Sequence, residues 1–471
     1  MLSASIAALV ASVVVPTTAV DEQQVIDQKL AELRGEVAEL RAACDPQGSW
    51  LTAARAGEIR ELVRDVLADA GTRDSLQAAG MTAGRRDRFF LASEDGNWVM
   101  NVQGYTQVRY AFDYRPSNPA APGDSVDTFG ASIRRMRFQF EGTVVDPTWR
   151  YKLQFVSYQG SVLSPDDIYL EKTLAPGLSL RIGQFNLPFL RESLIPDSVT
   201  TMVDRAGTEF FFSAGRGQGI QLTAEGEHLR ASAGVFDSFD VKSNYFSSGS
   251  SRNQAWDSPT VADYCFMARA EWKLAGTWTQ CRDFAGWRTG EFGVLIGAAG
   301  EIEKKGNNAG TSDPSIEPLV AGATVDIGIE WPGASIFSYF VWRQIDPGVA
   351  GMNNANQYGL VVQGGYFVTD DVELTARYEY GDADTMPNGG AGAVGTLVNN
   401  GYPYNSTVTV GANWYISGQF LKLSWDIGYA FQGVGAFASP PGAFLADGTS
   451  SSGQFNQSGQ VLARMQVQLM W

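Results

Sequence analysis

From about residue 97 to the end of the chain, apolar and polar residues alternate with a period of two. In WVMNVQGYTQVRYAF (98–112), Val102, Thr106, Val108, Tyr110 and Phe112 fall on one face, and Asn101, Gln103, Tyr105, Gln107 and Arg109 on the other. In IRRMRFQFEGT the apolar set is Met136, Phe138 and Phe140, and the polar set is Arg135, Arg137, Gln139 and Glu141. WRYKLQF sets Trp149, Tyr151, Leu153 and Phe155 against Arg150, Lys152 and Gln154, and FLKLSWDIGYAF near the end repeats the pattern. Period two is the signature of a strand with one dry and one wet face.

Sixteen such segments can be marked: about 97–112, 131–145, 148–159, 166–173, 178–185, 217–226, 228–237, 262–274, 289–301, 319–331, 334–344, 356–368, 371–381, 405–416, 419–432 and 459–471. Turns such as Ala175-Pro176-Gly177, Trp331-Pro332-Gly333 and Ser417-Gly418 alternate with mostly long connections, among them 113–130, 186–216, 238–261, 382–404 and 433–458. A soluble sandwich also alternates, but it gives no reason for short turns at one end and long loops at the other over sixteen strands. The pattern predicts an all-β, 16-stranded antiparallel transmembrane β-barrel, whose lipid face is apolar, whose lumen is polar and whose backbone polar groups are all paired internally. The chain closes on VLARMQVQLMW, with Val467, Leu469 and Trp471 on the apolar face. A terminal aromatic suits the membrane–water girdle.

Before residue 97 the period is helical. Residues 21–44 carry Ile26, Leu30, Leu33, Val37, Leu40 and Cys44 at alternating spacings of four and three, an a/d seam. This predicts a coiled coil over 20–44, against the alternative of an amphipathic helix packed on its own protein. About three heptads are marginal alone and need help from another oligomerising element. Asp45-Pro46-Gln47-Gly48 breaks that helix, and a second amphipathic helix at 51–70 leads through Gly71, Gly80 and Gly84 to a basic linker, Arg85-Arg86-Asp87-Arg88. The division expected is thus a helical linker over 45–88 and a barrel over 89–471. Residues 1–19, MLSASIAALVASVVVPTTA, read as a signal peptide with a small-residue cleavage site, although no Lys or Arg precedes the apolar run; the alternative is a short anchor helix. Either way the mature chain is expected outside the cytoplasm.

Composition narrows the function. The net charge of −16 argues against nucleic acid as a partner. No internal stretch reaches the ~18 apolar residues that a spanning helix needs. One histidine, His228, and three cysteines without a CxxC pair exclude most metal and triad chemistry, so no enzyme activity, cofactor or metal is expected. GRGQG (215–219) opens a strand and is no dinucleotide fingerprint. The acidic GDADT (381–385) sits in a solvated loop, where calcium binding is the less common outcome. Cys265 and Cys281 are not expected to pair, because the strand between them spans ~30 Å, beyond the Cα separation of about 7 Å that a disulfide bridges.

The stretch SLRIGQFNLPFLRESL (179–194), with support from NVQGYTQVRYAF and GRGQGIQL (215–222), resembles the signature of the phosphate-selective porin O and P family. The resemblance covers roughly residues 89–471. It implies a homotrimer of sixteen-stranded barrels in the bacterial outer membrane, surrounded by lipid, with the terminal strand presented to the barrel-assembly machinery. It also implies a passive channel for small hydrophilic solutes, with anions such as phosphate among them.

In such a channel the chemistry is pore width, lining charge and a loop that narrows the lumen. The candidate lining residues are Arg109, Arg135, Arg137, Arg150, Lys152, Arg181, Arg269, Lys273 and Arg377. The candidate constriction loop is 186–216, with Arg191, Glu192, Asp197, Asp204, Arg205 and Glu209 and the apolar run Phe210-Phe211-Phe212. The alternatives are that this loop points outward or contacts a neighbouring subunit, and that the arginines only pair with acids across strands. Inward residues read as polar and small throughout, leaving nothing to plug the lumen. A second function remains open: a structural barrel that anchors the envelope through its periplasmic coiled coil, with peptidoglycan or another cell-wall component as partner.

Overall fold

The computed structural model describes residues 61, 81–85, 88–116, 126–238, 262–305, 318–346, 348, 353–383, 404–432 and 459–471. The expected signal segment, the coiled-coil seam with Cys44, all but one residue of the second helix, and the loop beyond residue 383 lie outside these.

Among the described residues the strands run, in chain order, β1 (Met81–Arg85), β2 (Phe89–Ser93), β3 (Val99–Arg115), β4 (Val126–Val144), β5 (Asp146–Tyr158), β6 (Ser164–Ala175), β7 (Leu178–Asn186), β8 (Arg216–Glu225) and β9 (Leu229–Phe236). They continue with β10 (Ala262–Ala275), β11 (Gly293–Lys305), β12 (Leu319–Trp331), β13 (Ala334–Asp346), β14 (Ala355–Phe367), β15 (Val372–Asp382), β16 (Tyr404–Gln419), β17 (Leu421–Ala430) and β18 (Gln460–Met470). From β3 to β18 each strand pairs antiparallel with the next, and β18 returns to β3 over Val461↔Tyr114 to Met470↔Tyr105. The sheet is therefore a closed sixteen-stranded barrel, and each of the sixteen segments read from the alternation is one of its strands.

The faces separate as the alternation requires. Val108, Tyr110 and Phe112 of β3 and Val467 and Leu469 of β18 are exposed outward, whereas Gln107, Arg109, Gln466 and Gln468 are buried inside. Outward aromatics gather at both strand ends. Trp149, Trp272, Trp331, Tyr366, Trp414 and Phe420 lie toward the short turns, and Tyr114, Phe129, Tyr264, Tyr358, Tyr404 and Phe431 toward the long connections. Two aromatic girdles around an aliphatic band are what a lipid bilayer selects.

Trp471 closes the seam. Its backbone N–H donates to the Gly104 carbonyl (3.0 Å) and its carbonyl accepts from the Gly104 N–H (3.1 Å). The indole meets the Phe138 ring edge-on at 5.9 Å. Gly104 is required for this approach, because an added Cβ would lie 2.6 Å from the indole and 2.7 Å from the Arg137 carbonyl.

Three features differ from the sequence expectations. Residues 81–85 are a strand and not part of a helical linker: β1 pairs with β2, and β2 pairs with β3 over Phe89↔Val102 to Ala92↔Val99. The reason is geometric. β3 extends past the end of β18, and the hairpin supplies partners to backbone groups that Trp471 cannot reach. β11 starts at Gly293 instead of 289, because the preceding residues turn into the barrel. The inner wall is also not polar throughout: Val320, Phe337, Tyr339, Val341, Ile345 and Val361 are buried on β12–β14, in one cluster with Leu187, Phe189, Leu190, Phe211 and Phe212 of the β7–β8 connection. The loop supplies the dry partner that makes an apolar inner wall tolerable.

Gly104→Leu is expected to prevent seam closure, and Trp471→Ala to weaken it. Heat-modifiable electrophoretic mobility checks both; a Gly104→Leu barrel that migrates as the folded form would overturn the account of the seam.

Candidate functional site

The 187–215 connection between β7 and β8 folds into the barrel. Its neck is held where the Leu187 N–H donates to the Gly215 carbonyl at 2.9 Å. It contains two short helices, α1 (Arg191–Leu194) and α2 (Gly207–Phe212), and a 3-10 turn at Asp197–Val199. Side chains from around the ring donate to its carbonyls: Gln468 to Ser198 (2.8 Å), Lys422 to Thr200 (3.0 Å), Asn413 to Thr201 (2.6 Å), Arg377 to Asp204 (2.9 Å), Arg343 to Phe212 (2.7 Å) and Arg269 to Phe189 (2.9 Å). A loop with exposed peptide groups needs such partners once it is buried.

Two carboxylates anchor the loop on the wall. Asp204 is met by Arg109 at 2.9 Å, Arg134 at 3.1 Å and Arg135 at 2.8 Å. Asp197 is met by Arg135 at 2.8 Å, Arg137 at 3.0 Å and Arg205 at 2.8 Å. Burial pushes both carboxyls up, but the guanidinium charges outweigh it: Arg134, Arg109 and Arg135 hold Asp204 well below the usual range, and Arg135, Arg205 and Arg137 do the same for Asp197. The anchoring is therefore present above the ordinary carboxyl value of 3.8 and is lost only as pH falls below it toward the depressed values.

A second cluster lies beside the first. Arg216 meets Asp166 (3.1 Å) and Asp167 (2.6 Å), Lys152 meets Asp167 (2.7 Å), and Arg137 meets Asp166 (3.2 Å). Arg134, Asp166 and their roles were missed by strict alternation. A bulge opposite Gln107 and Val108 inserts Arg134 into β4, so that Arg134 and Arg135 both point inward. Another bulge between Leu153↔Ile168 and Phe155↔Pro165 turns Asp166 and Asp167 inward together. The adjacent like charges Arg134-Arg135 and Asp166-Asp167 were the available signal, since one of each pair would otherwise face lipid.

The other expected positions divide. Arg269, Lys273 and Arg377 are buried on the inner wall. Arg181 pairs with Glu171 at 2.7 Å and lies 4.4 Å over the Tyr169 ring. Arg150 is exposed at the short-turn end. Within the loop, Arg191 donates to the Cys281 carbonyl at 2.8 Å, the Ala206 N–H donates to Glu192 at 3.0 Å, and the Ser193 hydroxyl donates to Glu209 at 2.5 Å. Burial raises the Glu192 carboxyl to about 7, with Arg377 opposing the rise. The arginines thus do not face an acidic loop across open space; they grip it. Cys265 and Cys281 are not disulfide-bonded to each other.

Between the loop and β3–β8 remains a cavity of about 410 Å³. Its walls carry six basic side chains, Arg88, Arg137, Lys152, Arg205, Arg216 and Arg282, and two carboxylates, Glu141 and Asp167.

A closed barrel with a lipid-facing apolar band, a charged interior and an inward loop has the architecture of an outer-membrane channel. The chain belongs to the phosphate-selective porin O and P family, whose model matches residues 105–428. It is a porin, a passive route for small hydrophilic solutes across the outer membrane. No curated protein sequence matches the chain. Similar solved structures include OmpF of Salmonella typhi in complex with daunomycin (12% identity, 80% of this chain and 99% of that one, TM-score 0.49). An anion-selective porin from Comamonas acidovorans (9%, 79% and 99%, 0.48) and the outer-membrane channel DcaP of Acinetobacter baumannii (11%, 79% and 97%, 0.45) are also similar.

Asp204→Asn is expected to release the loop from its three arginines, lowering stability by roughly 3–5 kcal/mol and giving larger, noisier single-channel currents. Urea midpoints and bilayer recordings check this; unchanged values for both would show that the loop is held elsewhere.

Proposed function

We propose that solutes cross through the gap between the inward loop and β3–β8, and that this gap favours small anions. The observation that carries the proposal is the lining of six basic groups against two carboxylates. Arg88, Arg137, Lys152, Arg205 and Arg216 are partly neutralised by Glu141, Asp166, Asp167 and Asp197, so the preference expected is moderate. The mechanism is electrostatic: a low-dielectric wall concentrates the field of the lining's excess positive charge and raises the local anion concentration. The chain's net charge of −16 does not oppose this, because charge close to the path dominates the field that a solute meets.

The proposal extends to assembly. Membership of the family supports a homotrimer, and the a/d seam at 21–44 supplies a second trimerising element on the periplasmic side, with reach toward the cell wall. Deleting residues 21–44 is expected to weaken the trimer or its envelope attachment while conductance persists; unchanged trimer melting together with unchanged attachment would remove the coiled-coil role.

Reversal potential in a planar bilayer under a KCl gradient tests the pore reading. The expected result is a measurable conductance with anion-favouring reversal that falls in Lys152→Glu. Cation-favouring reversal would make the basic groups purely structural, and folded trimers without conductance would assign the protein to envelope anchoring instead.

A further inference from the structure

The connection between β10 and β11, residues 276–292, lies at the short-turn end of the barrel, where the other links are tight turns. It does not hang below the wall. It turns inward and packs along the inner wall toward β16. Cys281, Phe284 and Ala285 are buried. The Phe284 ring stacks on Phe337 of β13 with centroids 4.4 Å apart. Trp287 packs against Phe367 of β14 at 5.2 Å and Tyr415 of β16 at 4.7 Å, so the segment reaches a strand six places round the ring from where it began. Its backbone is fastened too: the Gly333 N–H donates to the Gly286 carbonyl at 2.9 Å, and the Arg288 guanidinium donates to the Phe367 carbonyl at 2.6 Å. A side chain at Gly286 would collide with the Ala334 carbonyl.

The segment is also latched to the loop that enters from the other end. Arg191 of α1 donates to the Cys281 carbonyl at 2.8 Å, sits 3.7 Å from Glu271 and lies 6.0 Å over the Phe284 ring. Asp283 supports the docked arrangement: its carboxylate accepts from the Trp287 indole N–H and the Ala285 N–H, both at 3.2 Å, and burial pushes its carboxyl up to about 6. Aromatic stacking on one side and the latch on the other leave one residue of the segment in the lining of the cavity beside the inward loop. That residue is Arg282, which is exposed, lines the 410 Å³ cavity, and has no carboxylate paired with it among the described residues.

We infer that residues 276–292 form a second constriction element, which closes the β12–β16 side of the lumen at the short-turn end and places Arg282 on the solute path as a selectivity residue. The inference rests on the reading of the cavity as the path. A cation without a partner acts on passing ions more strongly than one held between carboxylates, because its field is not cancelled nearby. Arg282 therefore contributes more to anion preference than the paired Arg137 or Arg216, and it does so only while Phe284 and Trp287 keep the segment docked.

The test uses the full-length trimer in planar bilayers under a KCl gradient, with Arg282→Glu, Lys152→Glu, the pair Phe284→Ala with Trp287→Ala, and that pair combined with Arg282→Glu. Arg282→Glu removes no contact that holds the fold. It is expected to lower the anion-to-cation permeability ratio by about twofold or more at nearly unchanged conductance. The aromatic pair is expected to raise conductance, and in its background Arg282→Glu is expected to lose its effect. If Lys152→Glu shifts the reversal potential and Arg282→Glu does not, the cavity is the path but the segment is no part of it. If Arg282→Glu acts equally in both backgrounds, docking is irrelevant and the constriction is refuted. If neither Lys152→Glu nor Arg282→Glu shifts the potential, the reading of the path fails as well.

Discussion

A bilayer core offers no hydrogen bonds, and this one constraint organises the whole chain. Each strand from β3 to β18 must find two neighbours, so the sheet has to close, and the closing contact between β18 and β3 is the one on which every other pairing depends. Closure then dictates composition. One face of each strand touches lipid and becomes apolar; the other faces a lumen that must hold whatever polarity the chain carries. It also explains the small hairpin at 81–93, which pairs with the part of β3 that extends past the chain's last residue.

The interior is governed by a different balance. A buried guanidinium is tolerable only beside a carboxylate, and a buried loop only where its peptide groups find partners. The two requirements are met together. Asp197 and Asp204 bring negative charge from the loop to arginines on β3 and β4, while Lys422, Asn413, Arg377, Arg343 and Arg269 bring donors from the far wall to loop carbonyls. What looks in sequence like a basic pore wall is for the most part a clamp. The cavity that remains between the loop and β3–β8 is lined by Arg88, Lys152, Arg205, Arg216 and Arg282 as well as Arg137.

Two segments entering from opposite ends of the barrel share one joint, the Arg191–Cys281 contact. Each has an apolar part that packs on the inner wall, Phe211 and Phe212 on the loop and Phe284 on the other segment. This arrangement narrows the lumen of a sixteen-stranded barrel, wide by its strand number. The apolar inner patch on β12–β14 is the imprint of that design, and an empty lumen would have no use for it.

The strands, their number, their faces and the terminal aromatic were legible in the chain itself, because lipid on one side and water on the other force every second residue to declare its side. The inward loop was a candidate through the resemblance, as the third long connection, which commonly folds into the lumen in porins of this size. Three things were decided only in three dimensions. Arg134 and Asp166 reached the interior through bulges, which break the period that sequence reading relies on. The segment at 276–292 carries Phe284, Ala285 and Trp287 where a solvated turn would be polar, yet the rings that cover it, Phe337, Phe367 and Tyr415, are far away along the chain. And whether an arginine is a clamp or a lining residue depends on which carboxylate lies within 3 Å or so of it. Alternation is a local property that the solvent on each face imposes residue by residue; charge pairing across a lumen is a property of closure, and it exists only once the ring is complete.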